Sequence, residues 1–128
     1  LIDFHSLINP IKHTINNVKY TDWKGEKLLL YGNDFEIWTY NTQNDKRRLL
    51  TRISEPIMEM DWYPTGKYIL YYTRNQINVI ENNVKGKRDI TTLVELKDIS
   101  FPEFDKNNNI IYFHAQVGRK SGIYKLKI

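Results

Sequence analysis

A motif that recurs about every 40 residues constrains the fold of this chain more than any other feature. Its three copies are Tyr20–Tyr31, Glu59–Tyr71 and Glu103–Phe113. The first strand of each copy ends in an aromatic residue, and these residues stand 39 and 42 positions apart: Trp23, Trp62 and Phe104. A period of this length is typical of β-propeller blades. The repeat therefore predicts similar small sheets stacked side by side.

The first two copies each predict an antiparallel unit of four strands, and the third copy predicts the first three strands of such a unit. After the first strand comes a polar turn such as Tyr63–Gly66, because Pro, Gly, Asn and Asp adopt turn dihedrals at low cost. A short apolar run follows, such as Tyr68–Tyr72, which is typical of a strand buried on both faces. A third strand (Gln76–Ile80) and an outer strand (Asp89–Leu96) complete the unit.

The composition supports an all-β fold. Ala115 is the only alanine, while aromatic residues make up 13% of the chain. Alanine is the best helix former, and aromatic and β-branched residues fit a pleated sheet. The chain has no cysteine, which excludes disulfides and thiolate metal sites. It also has no run of 18 apolar residues, so no membrane-spanning helix is predicted.

The predicted fold class is a β-propeller fragment of about three four-stranded antiparallel blades, two complete and two partial. Residues 1–14 are predicted to hold the outer strand of a preceding blade, residues 15–53 and 54–96 the complete blades, and residues 97–128 a three-stranded last blade. A closed propeller can take the missing strand of its last blade from its N-terminal region. We therefore expect Ile128 to lie near the natural C-terminus. The missing initiator Met indicates a chain cut from a longer precursor.

The second copy resembles a known family. Trp62–Ile69 resembles the W-x-P-x-G-K-x-I core of the WD40-like repeats of the TolB family, and Glu36–Trp38 and Leu49–Arg52 fit the same repeat. The order of strands is also similar to the C-terminal propeller of bacterial envelope proteins that carry PEGA domains. This resemblance implies a bacterial, extracytoplasmic protein, in the periplasm or at the cell surface, that binds other proteins.

No pattern in the sequence indicates catalysis or a bound metal. No serine lies in a G-x-S-x-G elbow, and no two histidines have ligand spacing. Asp105–Asn109 matches the start of a calcium loop, but Ile110 and Gln116 stand where glycine and a carboxylate are needed. We therefore predict a polar turn there, and no enzyme activity, cofactor or metal.

The tryptophans could stack on bases or sugars, but their repeat positions favour another role. Trp23 and Trp62 occupy equivalent positions, which predicts that both pack in the core between blades. A sugar-binding surface would instead need exposed aromatic residues around the central channel, Trp38 among them.

Basic residues concentrate in the turns after the first and third strands, which should open on one side of each blade. The predicted binding residues form two clusters in successive blades: Lys46, Arg47 and Arg48, then Lys85, Lys87 and Arg88. Further cations in these turns are Lys24, Lys67 and Lys106, and the acids are Glu26, Asp45, Asp89 and Asp105. The clusters predict a continuous basic arc that meets an anionic partner. No base-reading motif accompanies the charge, so nucleic acid is not the expected partner.

Three functions fit these observations. The first is a non-catalytic binding or scaffold module for a protein or an anionic envelope component, joined to the remaining blades of a larger propeller or to a second copy. The second is the propeller that gates the catalytic domain of a prolyl-oligopeptidase-like hydrolase. The third is a glycan-binding propeller.

Overall fold

The computed structural model of the protein describes residues 14–82 and 89–128. Eleven strands in these residues form three antiparallel sheets, and the same residues contain no helix. The predicted all-β class and the propeller-fragment architecture are confirmed. The strand expected in residues 1–14 falls almost wholly outside the described residues, which begin at Thr14.

The strands follow the predicted order. Sheet 1 contains β1 (Tyr20–Lys24), β2 (Leu28–Gly32), β3 (Glu36–Asn41) and β4 (Lys46–Arg52). Sheet 2 contains β5 (Glu59–Trp62), β6 (Tyr68–Tyr72), β7 (Gln76–Glu81) and β8 (Ile90–Glu95). Sheet 3 contains β9 (Lys97–Asp105), β10 (Ile110–Val117) and β11 (Lys120–Lys127). Neighbours along the chain are therefore neighbours in each sheet.

The strand register shows that the sheets are copies of one unit. The residue before each repeat aromatic pairs with the third residue of the second strand: Asp22 with Leu30, Asp61 with Leu70, and Glu103 with Tyr112. Sheets 1 and 2 also share a bulge between the third and fourth strands, at Ile37/Trp38 and Ile77/Asn78. These pairings fix which residues are equivalent from sheet to sheet.

Two apolar cores join the sheets face to face. We call the face of a sheet toward the next sheet in sequence its downstream face, and the opposite one its upstream face. Between sheets 1 and 2 the buried residues are Leu30, Ile37, Leu50, Ile57, Met60, Trp62, Ile69, Tyr71 and Ile80. Between sheets 2 and 3 they are Leu70, Tyr72, Ile77, Ile99, Ile111, Phe113 and Ala115. Side chains along a strand point alternately to the two faces of the sheet, so successive residues of sheet 2 pack into different cores. Sheet 2 is therefore covered on both faces.

The connection between sheets is also repeated. The amide of Ile57 donates to the Asp34 carbonyl at 2.6 Å, and the amide of Ile99 donates to the Arg74 carbonyl at 2.7 Å. In both cases the residue lies where the chain enters a new sheet, just before β5 or near the start of β9, and is hydrogen-bonded to the turn between the second and third strands of the preceding sheet. This shared contact holds consecutive sheets in a constant relation.

The prediction that Trp23 packs in the core between blades is wrong. Trp62 is 1% exposed and lies in the core between sheets, as expected, whereas Trp23 is 52% exposed. Trp62 faces sheet 1, but no described strand lies against the upstream face of sheet 1, where Trp23 is found. Equivalent positions therefore differ in burial because their neighbouring sheets differ.

Candidate functional site

In sheets 1 and 2, the described turns that carry predicted basic residues lie on one side of the sheets. In sheet 1, the amide of Thr42, after β3, donates to the Lys27 carbonyl, before β2, at 2.8 Å. In sheet 2, Asn82 makes the same bond to Lys67 at 2.8 Å. Each bond ties the end of a third strand to the start of the second strand. We call this side, with its turns at residues 25–27, 42–45 and 63–67, the basic side.

Lys46, Arg47 and Arg48 have different surroundings. Lys46 and Arg47 are exposed, while Arg48 is half-buried and donates from Nη2 to Asn82 Oδ1 at 2.5 Å. Arg48 therefore joins β4 of sheet 1 to the end of β7 in sheet 2. Arg47 lies beside Tyr31, where burial raises the pKa of the phenol and the nearby guanidinium opposes that rise.

A cleft of about 540 Å³ opens beside these three cations. Its lining also includes Leu28, Thr39, Asn41, Asn44 and Asn82. Amide and guanidinium donors together suit an anionic group such as a carboxylate. The sequence prediction missed the asparagines. Asn82 could have been found from its place after the third strand, which corresponds to that of Thr42.

The second basic cluster, Lys85, Lys87 and Arg88, lies outside the described residues. The continuous arc through both clusters therefore remains a prediction.

Lys106, also predicted to lie on the basic side, forms an ion pair with a residue of sheet 1. Its Nζ lies 2.7 Å from Asp22 Oδ2, across sheet 2, and the same oxygen accepts the Trp62 amide at 2.8 Å. The Trp62 indole Nε1 donates to the Asp22 carbonyl at 3.0 Å. Asp22 thus links the first strands of sheets 1 and 2 and neutralises Lys106.

Asp61 is the repeat equivalent of Asp22 but has a different environment. Burial raises the pKa of Asp61 to about 6. The hydrogen bond that Tyr72 donates at 3.0 Å favours the ionised form but does not offset that burial. Burial and the neighbouring carboxylate also hold the pKa of Tyr72 far above its ordinary value, so its hydroxyl stays a donor. Sequence alone indicated the position of Asp61 but not its burial.

In the turn that resembled a calcium loop, the carboxylate oxygens of Asp105 accept hydrogen bonds from residues of the same turn. Asp105 accepts the amides of Asn107 and Asn108 at 3.1 and 3.2 Å and the Asn108 side-chain amide at 2.8 Å. These bonds hold the pKa of Asp105 below its usual range. Within residues 14–82 and 89–128, no three His, Asp or Glu side chains group as metal ligands would.

Trp38 is part of the sheet surface and is not an open platform. Its ring stacks on Tyr31 with centroids 6.2 Å apart, and Tyr31 is itself buried. The exposed aromatic residues are instead dispersed over the three sheets, Trp23, Tyr68 and Phe101 among them.

The part of the chain that the structure describes has no helix long and apolar enough to cross a membrane.

Comparisons with known proteins give two archaeal relatives. The chain is 31% identical over 115 residues to a tricorn protease homolog from Saccharolobus solfataricus, an alignment that covers 85% of this chain and 10% of that protein. It is 28% identical over 95 residues to a protein named as a tricorn-like protease C-terminal subunit, from Sulfurisphaera tokodaii, covering 70% of this chain and 11% of that protein. The sequence matches no protein-family model.

The chain is thus a distant homologue of protease-related archaeal proteins and spans about a tenth of their length. The comparisons do not support the bacterial, cell-envelope assignment that the TolB resemblance implied.

Proposed function

We propose that this chain is a non-catalytic β-propeller segment of a larger, protease-related protein, and that its basic side binds an anionic stretch of a polypeptide. The alignment with the Saccharolobus protein carries this proposal, because it covers most of the chain yet only a tenth of the relative. The repeated sheets add support, since a propeller needs roughly four to eight blades to close and three sheets are described.

The chain's role in this proposal is to bind or admit a polypeptide, and hydrolysis belongs to another part of the larger protein. The sequence has no nucleophile elbow, which supports this division. The exposed cations Lys46 and Arg47, beside the asparagine-lined cleft, are the groups we assign to the partner. Location outside the cytoplasm stays a proposal that rests on the TolB resemblance alone.

Deleting this segment from the larger protein tests the proposal. Cleavage of a short chromogenic peptide, which needs only the catalytic part, should persist. Degradation of a long unfolded polypeptide should change, because selection of the substrate has been removed. The isolated chain should hydrolyse neither substrate. A larger protein without peptidase activity, or an isolated chain that cleaves peptides, would contradict the proposal.

A further inference from the structure

A polar cleft of about 480 Å³ opens between sheets 1 and 2, on the side opposite the basic side. The linker that follows β4, at residues 52–55, forms one wall. Sheet 2 forms the other wall with Tyr71, Thr73, Gln76 and Asn78. Every residue that lines the cleft belongs to the described part of the chain, and the walls come from two neighbouring, described sheets.

The position of Asn78 in sheet 2 is taken by an aromatic ring in the other two sheets. Each of these third-strand residues pairs with an aromatic residue of the second strand: Asn78 with Tyr71, Trp38 with Tyr31, and Tyr124 with Phe113. In sheets 1 and 3 the two paired rings stack, with centroids 6.2 and 6.1 Å apart. Sheet 2 lacks this stack, because Asn78 has no ring.

Asn78 keeps the polar contact of its equivalent but not its bulk. Its Nδ2 donates to Gln76 Oε1 at 3.3 Å, and Thr92 donates to its Oδ1 at 2.7 Å. In sheet 1, Trp38 Nε1 donates to Glu36 Oε1 at 3.4 Å in the same way. The equivalent cleft of sheet 1, which Trp38 lines, measures only about 120 Å³. The larger cleft of sheet 2 therefore coincides with the place where the third-strand ring is missing.

Tyr71 supplies an unused hydrogen-bonding group at this cleft. The residue is only 3% exposed, and its hydroxyl forms no hydrogen bond with a residue that the structure describes. Burial alone raises the pKa of Tyr71, whereas the bond to Asp61 contributes to the raised pKa of Tyr72. A buried polar group without a partner is unfavourable, so a ligand that bonds this hydroxyl gains affinity.

We propose that this cleft binds an aromatic side chain of a polypeptide, whose ring stacks on Tyr71 in the place that Trp38 and Tyr124 take in the other sheets. Stacking selects a planar ring over an aliphatic side chain of similar size. The Tyr71 hydroxyl and the Gln76 amide then bond the peptide groups beside that ring. This inference rests on the proposed function, to whose polypeptide it adds a preference for an aromatic residue.

A neutral pentapeptide of glycine and serine with tyrosine at its centre tests the proposal. Nuclear magnetic resonance titration of the full 128-residue chain should give saturable shifts at the side-chain amides of Gln76 and Asn78 and at the backbone amide of Glu55. The same peptide with leucine at its centre should bind at least about fivefold more weakly, because it cannot stack. Equal binding of the two peptides would overturn the proposal.

Asn78→Tyr gives sheet 2 the ring that Tyr124 gives sheet 3. The variant should fold with a urea midpoint at or above that of the wild type and should no longer bind the tyrosine peptide. The matched control is Asn107→Tyr, which adds the same ring at an exposed turn of sheet 3 and should keep the wild-type affinity. A lowered midpoint in Asn78→Tyr would show that the cleft does not admit a ring. That result, or unchanged binding in this variant, would overturn the proposal.

Tyr71→Phe removes the hydroxyl and keeps the ring. Its urea midpoint should equal that of the wild type, because the hydroxyl has no described partner, and the tyrosine peptide should bind about fivefold more weakly. A lowered midpoint would assign the hydroxyl to a bond within the protein and overturn the proposal.

Ser54→Cys tests whether the cleft is open in the larger protein. Ser54 is exposed and lines the cleft, and the chain has no cysteine of its own. The new thiol should react with a maleimide both in the 128-residue chain and in the larger protein, and the tyrosine peptide should slow the reaction. A thiol that reacts only in the 128-residue chain would assign the cleft to another segment of the larger protein and overturn the proposal. Peptidase activity is measured separately, so a failed inference and a failed function are distinguishable.

Discussion

Replacing Asp61 with Asn should stabilise the protein at neutral pH. The pKa of Asp61 rises from 3.8 in an exposed carboxyl to about 6 in the folded protein, chiefly because the group is buried. Between these values the folded state holds more protons than the unfolded state, so the free energy of unfolding falls as the pH rises. At about 1.36 kcal/mol per pKa unit, the loss is about 3 kcal/mol, complete by about pH 7.

Asp61→Asn removes the charge but keeps an oxygen that accepts the Tyr72 hydroxyl. The variant should match the wild type at about pH 4 and exceed its free energy of unfolding by up to about 3 kcal/mol at about pH 7. Urea unfolding at several pH values measures this directly. Carboxylates with lowered pKa, such as Glu36 and Asp105, titrate in both proteins, and the difference between the two curves cancels their contribution.

Asp22→Asn is the matched control, since it is the same substitution at the equivalent repeat position. Asp22 accepts the Trp62 amide and pairs with Lys106, and both contacts weaken when its charge is removed. This variant should therefore be less stable than the wild type by about 1 kcal/mol at neutral pH. Stability changes in the same direction in both variants, or a gain of Asp61→Asn that does not depend on pH, would contradict burial as the cause of the raised pKa of Asp61.

Three other predictions test the fold and the basic side. Leu70 is fully buried in β6, so Leu70→Ala should lower the free energy of unfolding of the protein by about 2–5 kcal/mol, as measured by urea unfolding. A loss below about 1 kcal/mol would mean that β6 is not enclosed between two sheets. Trp62→Ala should cost about 3–5 kcal/mol and Trp23→Ala far less, as measured by urea unfolding; equal costs would contradict the difference in their burial. Lys46→Glu/Arg47→Glu should weaken binding of polyglutamate about tenfold at low salt without changing the urea midpoint, and unchanged binding would remove these residues from the site.

The fold could be predicted from the sequence because the repeat determines it locally. Each turn has Gly, Asn or Asp where a positive φ is needed, as at Gly25, Asp45, Gly66 and Asn109. The second strand of sheet 2, Tyr68–Tyr72, is a continuous apolar run, so its position between two sheets follows from composition alone. These signals lie within a few residues of the elements they specify and do not depend on distant parts of the chain.

The candidate site was less predictable, because its properties depend on contacts between sheets. The sequence placed Lys46, Arg47 and Arg48 in one cluster, but the bond from Arg48 to Asn82 spans 34 residues and separates Arg48 from its exposed neighbours. No local pattern distinguishes a cation that joins two sheets from one that faces solvent. Asn82 could be located by its repeat position, but its bond to Arg48 depends on the same contact between sheets.

The pairs Trp23 and Trp62, and Asp22 and Asp61, show how far a repeat can be used to infer function. Equivalent positions share backbone geometry, because the register is the same in each sheet. They do not share neighbours: Trp62 lies against sheet 1, while no described strand covers Trp23. Burial, pKa and binding depend on the residues that pack against a position, so they have to be determined for each sheet separately. In the same way, Lys125 of β11 is exposed while its register equivalent Thr39 is buried.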